Sequence, residues 1–151
     1  MKDRFIEKMY EMSKKPYQKF IKKNQPWNIT KEELVSYPEL SLGNDLGRFL
    51  TSNQFDIQEK LEDHDVIHVL TNTGITVADE IAMQYFLFGN GKRSLYLYMV
   101  MITGTLFYPM LFDQFKLAFQ KGKKAHIFYH LDFLKLLHLP TSTLRQTFNI
   151  N

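Results

Sequence analysis

The sequence predicts an all-α fold: a single-domain helical bundle over residues 1–151 with a long, kinked central apolar helix. Apolar residues recur at three- and four-residue steps along almost every segment, the period of a helix with one buried face. Helix-start patterns separate these segments, with Thr30 three residues before Glu33, Asp56 before Glu59 and Thr76 before Asp79. A chain of 151 residues that is 44% hydrophobic and 15% aromatic can build one core and is too apolar for disorder.

Taken in order, Phe5, Ile6, Met9 and Met12 make one apolar stripe before Pro16, and Tyr17, Phe20 and Ile21 make a second. Lys14, Lys15, Lys19, Lys22 and Lys23 read as a solvated face, with contact to acidic lipid as the lesser alternative. Thr30 and Glu33 cap a short helix that must stop before Pro38, because the residue preceding a proline is driven out of the α region. Ser41-Leu42-Gly43 opens a helix carrying Leu46, Phe49 and Leu50. Asp56 and Glu59 launch another from about Ile57 to Thr71, closed by Asn72-Thr73-Gly74. Thr76 and Asp79 start a helix running toward Gly89-Asn90-Gly91.

No charge falls between Arg93 and Asp113, so this stretch is long enough to challenge a water-soluble reading. Its tyrosines, Gly104 and Pro109 argue against a simple membrane span. A central helix buried on most sides leads, ahead of a helix against lipid, and Pro109 is expected to kink it near Thr105. Beyond Gly122 the pattern predicts a helix around Leu131–His138 with Phe133, Leu134 and Leu137 inward, ended by Pro140. A last amphipathic turn holds Leu144, Arg145 and Phe148.

Cysteine is absent, which removes disulfide frameworks, thiolate zinc sites, iron–sulfur clusters and cysteine nucleophiles. Any metal must therefore sit on His, Asp or Glu. The net charge of +3 permits attraction to anionic surfaces but is too small to demand nucleic acid, and no nucleic-acid motif is visible.

The chemistry concentrates in His64-Asp65-Val66-Ile67-His68, followed after eleven residues by Glu80. On a helix His64 and His68 share one face, and Asp65 lies three before His68, so the three can converge. A tight turn would fold the next helix back and bring Glu80 to the same level. Two imidazoles and two carboxylates suit a divalent ion, zinc first, and their charges neutralise it. His126, His130 and His138 lack such company and read as exposed imidazoles near helix ends. The zinc-peptidase signature needs Glu where Asp65 stands. His-Asp phosphohydrolases need a histidine upstream of His64, and none precedes it. Di-iron bundles need a second Glu-x-x-His, but Met83 follows Glu80 at that spacing.

These residues resemble the Coq-four family of ubiquinone (coenzyme Q) biosynthesis proteins, whose hallmark is His-Asp-x-x-His, eleven residues, then Glu. The likeness extends to Tyr37-Pro38-Glu39-Leu40-Ser41-Leu42-Gly43, Gln84-Tyr85-Phe86, Gly122-Lys123-Lys124-Ala125 and Leu139-Pro140 through Leu144-Arg145. The sequence departs from the family pattern at Asn72-Thr73 and at Asp79, which is read as a helix cap. The resemblance implies an all-helical protein with His64, Asp65, His68 and Glu80 as metal ligands. It further implies peripheral membrane association, often as homodimers, beside other quinone-biosynthesis enzymes. The activity implied is removal of the ring carboxyl of a polyprenylated hydroxybenzoate with oxidative replacement by hydroxyl, a decarboxylase or lyase reaction. The alternative is a non-catalytic lipid-binding scaffold with a structural metal that organises the pathway's enzymes.

On this reading Asp65 is the catalytic candidate as well as a ligand, and the prenyl tail lies along the apolar helix at Met99, Met101, Phe107 and Met110. The N-terminus lacks the form of a secretion or organelle-targeting signal. The expected location is the bacterial cytoplasm, at the inner face of the membrane.

Overall fold

The computed structural model describes Arg4 and residues 26–57 and 62–150. The expected stripes at Phe5–Met12 and Tyr17–Ile21, the lysines of 14–23, and Glu59 of the Asp56 pattern lie outside the described residues. The fold is all-α: seven α-helices are described, with two short 3-10 turns and no strand among the described residues. They belong to two compact units, one taking in Gly74–Tyr129 and the other Asn24–Thr73 with His130–Asn151.

In the second of these, α1 (Lys31–Val35) starts at a complete capping box: Thr30 Oγ1 accepts from the Glu33 amide, and the Glu33 carboxylate accepts from the Thr30 amide. Ser41 caps α2 (Leu42–Ser52) by accepting from the Asn44 amide. Leu42, Leu46 and Leu50, spaced four apart, are at most 2% exposed and form its inner face. Gly47 lets α1 pack closely, since a Cβ there would lie 2.8 Å from the Val35 nitrogen. The helix bearing the histidines, α3, is described from Glu62 to Thr71, while Ile57, expected to begin it, is not helical.

The helix expected around Leu131–His138 is only a 3-10 turn, Phe133–Leu136. The carbonyls that follow this turn serve α2 instead: the Gly43 amide donates to Leu137 O at 2.8 Å and the Leu42 amide to Leu139 O at 2.9 Å. Phe133 and Leu137 still point inward at 1% and 0% exposure, but Leu134 is exposed. The final helix, α7 (Thr141–Thr147), follows Pro140 as expected. From it Arg145 reaches back to α3 and donates to the carbonyls of Leu70 at 3.0 Å and Val69 at 2.7 Å, satisfying two acceptors that a helix end leaves open.

In the unit containing Gly74–Tyr129, α4 (Val77–Gly89) begins with Thr76 and Asp79 in a reciprocal capping box. Asp79 is therefore committed to the helix start, as the sequence indicated. Thr76→Ala is expected to lose about 1 kcal/mol of unfolding free energy in a urea titration. The helix pairs closely with α6 (Phe112–Lys124) through reciprocal glycines: Gly89 lies against the Phe119 carbonyl and Gly122 against the Phe86 carbonyl. Phe115, fully buried, stacks on Tyr85 at 5.3 Å between ring centroids. Asn90, 1% exposed, joins the end of α4 to the segment after α6. Its Nδ2 donates to the Gly122 and His126 carbonyls, and its Oδ1 accepts from the Phe128 and Tyr129 amides.

Between them runs α5 (Leu95–Phe107), and here the sequence expectation is corrected twice. The expected continuous helix through Phe112 is broken, not merely kinked near Thr105. Tyr108 adopts φ −127° and ψ 53°, a 3-10 turn follows at Pro109–Leu111, and the next segment leaves at 106°. The residue before a proline resists the α region, which places the break at Tyr108. No single helix among the described residues is long and apolar enough to cross a membrane.

Nor is α5 buried on most sides. Tyr96, Leu97 and Gly104 are buried, with Gly104 set against Ile81 of α4. Leu95, Met99, Ile102 and Leu106, at a 4-3-4 spacing on the opposite side, are 65%, 42%, 68% and 73% exposed. Of the four residues expected to line a lipid-tail groove, Met99 and Met110 are exposed and Met101 and Phe107 half-buried.

Candidate metal centre

The site begins with the register of α3. A four-residue separation places His64 and His68 one turn apart on a common face. The structure brings them together: their Nε2 atoms are 3.2 Å apart, and the rings meet edge to face with centroids 4.9 Å apart. Two nitrogens each about 2.0–2.1 Å from one tetrahedral ion would be about 3.3 Å apart, so the pair already has the spacing of two ligands to a single zinc-sized cation. The donor set also suits such an ion, since imidazole favours borderline divalent metals.

His68, only 3% exposed, is held from behind. Its Nδ1 lies 3.3 Å from the Thr73 carbonyl, which can only accept, so the proton sits on Nδ1 and Nε2 keeps its lone pair in the neutral ring. The Phe49 ring stacks on one face of the imidazole, 5.6 Å between centroids and 20° from parallel. Thr73 is fixed in turn. Its amide donates to the His68 carbonyl at 3.1 Å, its hydroxyl pairs with that of Thr71 at 2.6 Å, and Asn72 takes the positive φ of 51° that reverses the chain. Phe49 was legible only as an apolar face residue of α2, and nothing in the sequence marked the Thr73 carbonyl as the group that orients His68.

Asp65 is half-buried, one residue after His64 and so rotated about 100° around α3. Glu80 is half-buried in the first turn of α4, beside Asp79, whose carboxylate is spent on the cap. Glu62, in the first turn of α3, is buried and accepts from the Trp27 amide at 3.1 Å. His126, His130 and His138 are exposed.

No protein-family model matches the chain, and no curated protein does. Its fold is similar to a solved crystal structure from Nostoc punctiforme PCC 73102, of a protein provisionally named a ubiquinone biosynthesis protein. The two share 18% sequence identity at a TM-score of 0.69, with 94% of this chain and 79% of that chain covered, a likeness of fold.

Proposed function

We propose that this chain is a metal-dependent protein of prenylquinone biosynthesis in which the imidazole pair His64 and His68 holds a divalent ion, zinc first. The reaction we assign is removal of the carboxyl group from a prenylated hydroxybenzoate ring. The observation that carries the reading is the 3.2 Å approach of the two imidazole Nε2 atoms, one of them oriented from behind by a carbonyl. Similarity of fold to a protein named for ubiquinone biosynthesis supports the choice of pathway.

The bound ion would supply Lewis acidity toward the ring's carboxylate. Protein ligands that leave one position open on the ion would let the substrate reach it, as catalytic zinc sites require. Asp65 is then available to hold and return a proton at its carboxylate oxygens, so that the ring carbon takes up a proton in place of the carbon dioxide that leaves. Metal analysis should find about one ion per chain. Zinc-loaded protein given a prenylated hydroxybenzoate should release carbon dioxide, and Asp65→Asn should keep the ion but lose at least a hundredfold in rate. Ligand binding without any turnover would instead establish the scaffold reading.

The same reading places the protein at a membrane surface. The outward stripe of Leu95, Met99, Ile102 and Leu106 continues to Met110, 71% exposed, with no charge between Arg93 and Asp113. Exposed Lys116, Lys121, Lys123 and Lys124 follow on α6, an arrangement suited to acyl chains beneath anionic headgroups. Burying such half-exposed side chains is worth about 1 kcal/mol each. The protein is expected to float with anionic vesicles, and the double variant Ile102→Ser with Leu106→Ser to remain at the bottom of the gradient. Flotation unchanged by both substitutions would remove α5 as the docking face.

A further inference from the structure

Asn90 and Gly91 form the single Asn-Gly pair in the sequence. Asparagine before glycine is the pairing most open to spontaneous loss of the side-chain amide, because the nitrogen that attacks has no Cβ beside it. The fold demands both residues. Asn90, 1% exposed, uses its amide completely: Nδ2 donates to the Gly122 carbonyl at 3.3 Å and the His126 carbonyl at 3.0 Å, and Oδ1 accepts from the Phe128 amide at 3.1 Å and the Tyr129 amide at 3.3 Å. A short side chain with two donors and an acceptor is what those four groups require, and asparagine supplies it. Gly91 takes φ +106° as the chain turns out of α4, a conformation that residues with a Cβ rarely adopt.

All of these residues lie in the unit containing Gly74–Tyr129, and while that unit is closed the pair is held from reacting. The Gly91 amide donates to the Phe88 carbonyl at 3.2 Å, so the nitrogen keeps its proton, and the Asn90 side chain is bonded at both ends and shut from water. These restraints go together when α4 and α6 part, because the Gly122 carbonyl that accepts from Asn90 belongs to the residue at which the helices cross. The Gly91 nitrogen can then attack the side-chain carbonyl carbon of Asn90. A C–N bond closes a cyclic imide, the C–NH2 bond breaks, and the proton lost by Gly91 leaves with the ammonia. Water opens the imide at either carbonyl, giving an aspartyl or an isoaspartyl residue.

Neither product fits the site. A carboxylate at position 90 would turn an oxygen toward the Gly122 and His126 carbonyls where a donor stood, leaving two buried acceptors unpaired and burying a charge. The isoaspartyl form adds a methylene to the main chain just before Lys92, whose amide donates to the Leu87 carbonyl at 2.9 Å. We propose that Asn90-Gly91 is a spontaneous modification site, quiet while α4 and α6 are paired and converted when they open, so that conversion prevents the unit from closing again.

The test incubates the full chain at mildly alkaline pH in a urea series and reads amide-to-acid conversion at each asparagine by peptide mapping and mass spectrometry. In fully unfolding urea, position 90 should convert fastest of all. In native buffer it should convert at least about tenfold more slowly, since the reaction follows the open population. A smaller ratio, or conversion slower than at Asn72 in the unfolded chain, would overturn the site. Asn90→Asp should melt at least about 5 °C below the parent, and a smaller drop would overturn the misfit of the product. Should this variant not fold, aged parent protein carries the same test. Molecules converted at position 90 should be cut within Gly74–Tyr129 by a protease pulse that unconverted molecules survive, and equal resistance would overturn the proposal.

Discussion

His68→Ala and His64→Ala should each lower zinc affinity by more than a hundredfold, and zinc should no longer raise their melting temperatures. For a ligand present at a hundred times its Kd the native state gains about 2.7 kcal/mol, or roughly 5–10 °C for a chain of this size. That increment is expected in the parent and absent in both variants. The two should differ in the metal-free state, because their surroundings differ. His68 is buried between the Phe49 ring and the Thr73 carbonyl, so its removal opens a cavity and strands an acceptor, at about 2–3 kcal/mol. His64 is half-buried, and its removal should cost less than about 1 kcal/mol. Paired melts with zinc and with chelator read both quantities. A zinc-dependent rise that survives in either variant would mean that the imidazole pair does not hold the ion.

Gly122→Ala is expected to be the most damaging single-methyl change in the described residues of α4 and α6. Its new Cβ would fall inside the Phe86 carbonyl, and the reciprocal contact of Gly89 with the Phe119 carbonyl leaves the helices no direction in which to slide. Backbone cannot swing aside as a side chain does. The helices must separate, and the separation would loosen Phe115, which is fully buried and stacked on Tyr85. The same separation would stretch the bond from Asn90 to the Gly122 carbonyl. The loss should be about 3 kcal/mol or more, against less than about 0.5 kcal/mol for the exposed neighbour Lys123→Ala. Urea unfolding of the three proteins measures this. A loss under about 1 kcal/mol for Gly122→Ala would show that the helices do not cross so closely.

The helix starts were readable because each rests on chemistry within four residues. Thr30 with Glu33, Ser41 and Thr76 with Asp79 cap the helices the sequence assigned to them. The imidazole pair was readable for the same reason, since its register follows from one helix period. What was not readable depends on residues distant in sequence. The first amides of α2 are satisfied by the carbonyls of Leu137 and Leu139, which no local pattern around Ser41 announces. The exposure of Leu95, Met99, Ile102 and Leu106 was hidden because the sequence of α5 is apolar all round, so its periodicity cannot distinguish the side facing α4 from the opposite one. Gln84 looked like any polar residue of an amphipathic helix. It is 1% exposed and, among the described residues, its amide oxygen has no partner, a state that Asn44 Oδ1 shares.

Arg145 closes α3 from 75 and 76 positions further along the chain, and the turn at Leu137–Leu139 completes α2 from further still. During synthesis the histidine helix therefore leaves the ribosome long before its closing guanidinium exists. The stretch Gly74–Tyr129, whose helices cross through neighbours already made, can settle while translation continues. Pulse-labelled nascent chains should accordingly gain amide protection in α4 and α6 first. The imidazoles should become competent to retain zinc only after α7 has emerged.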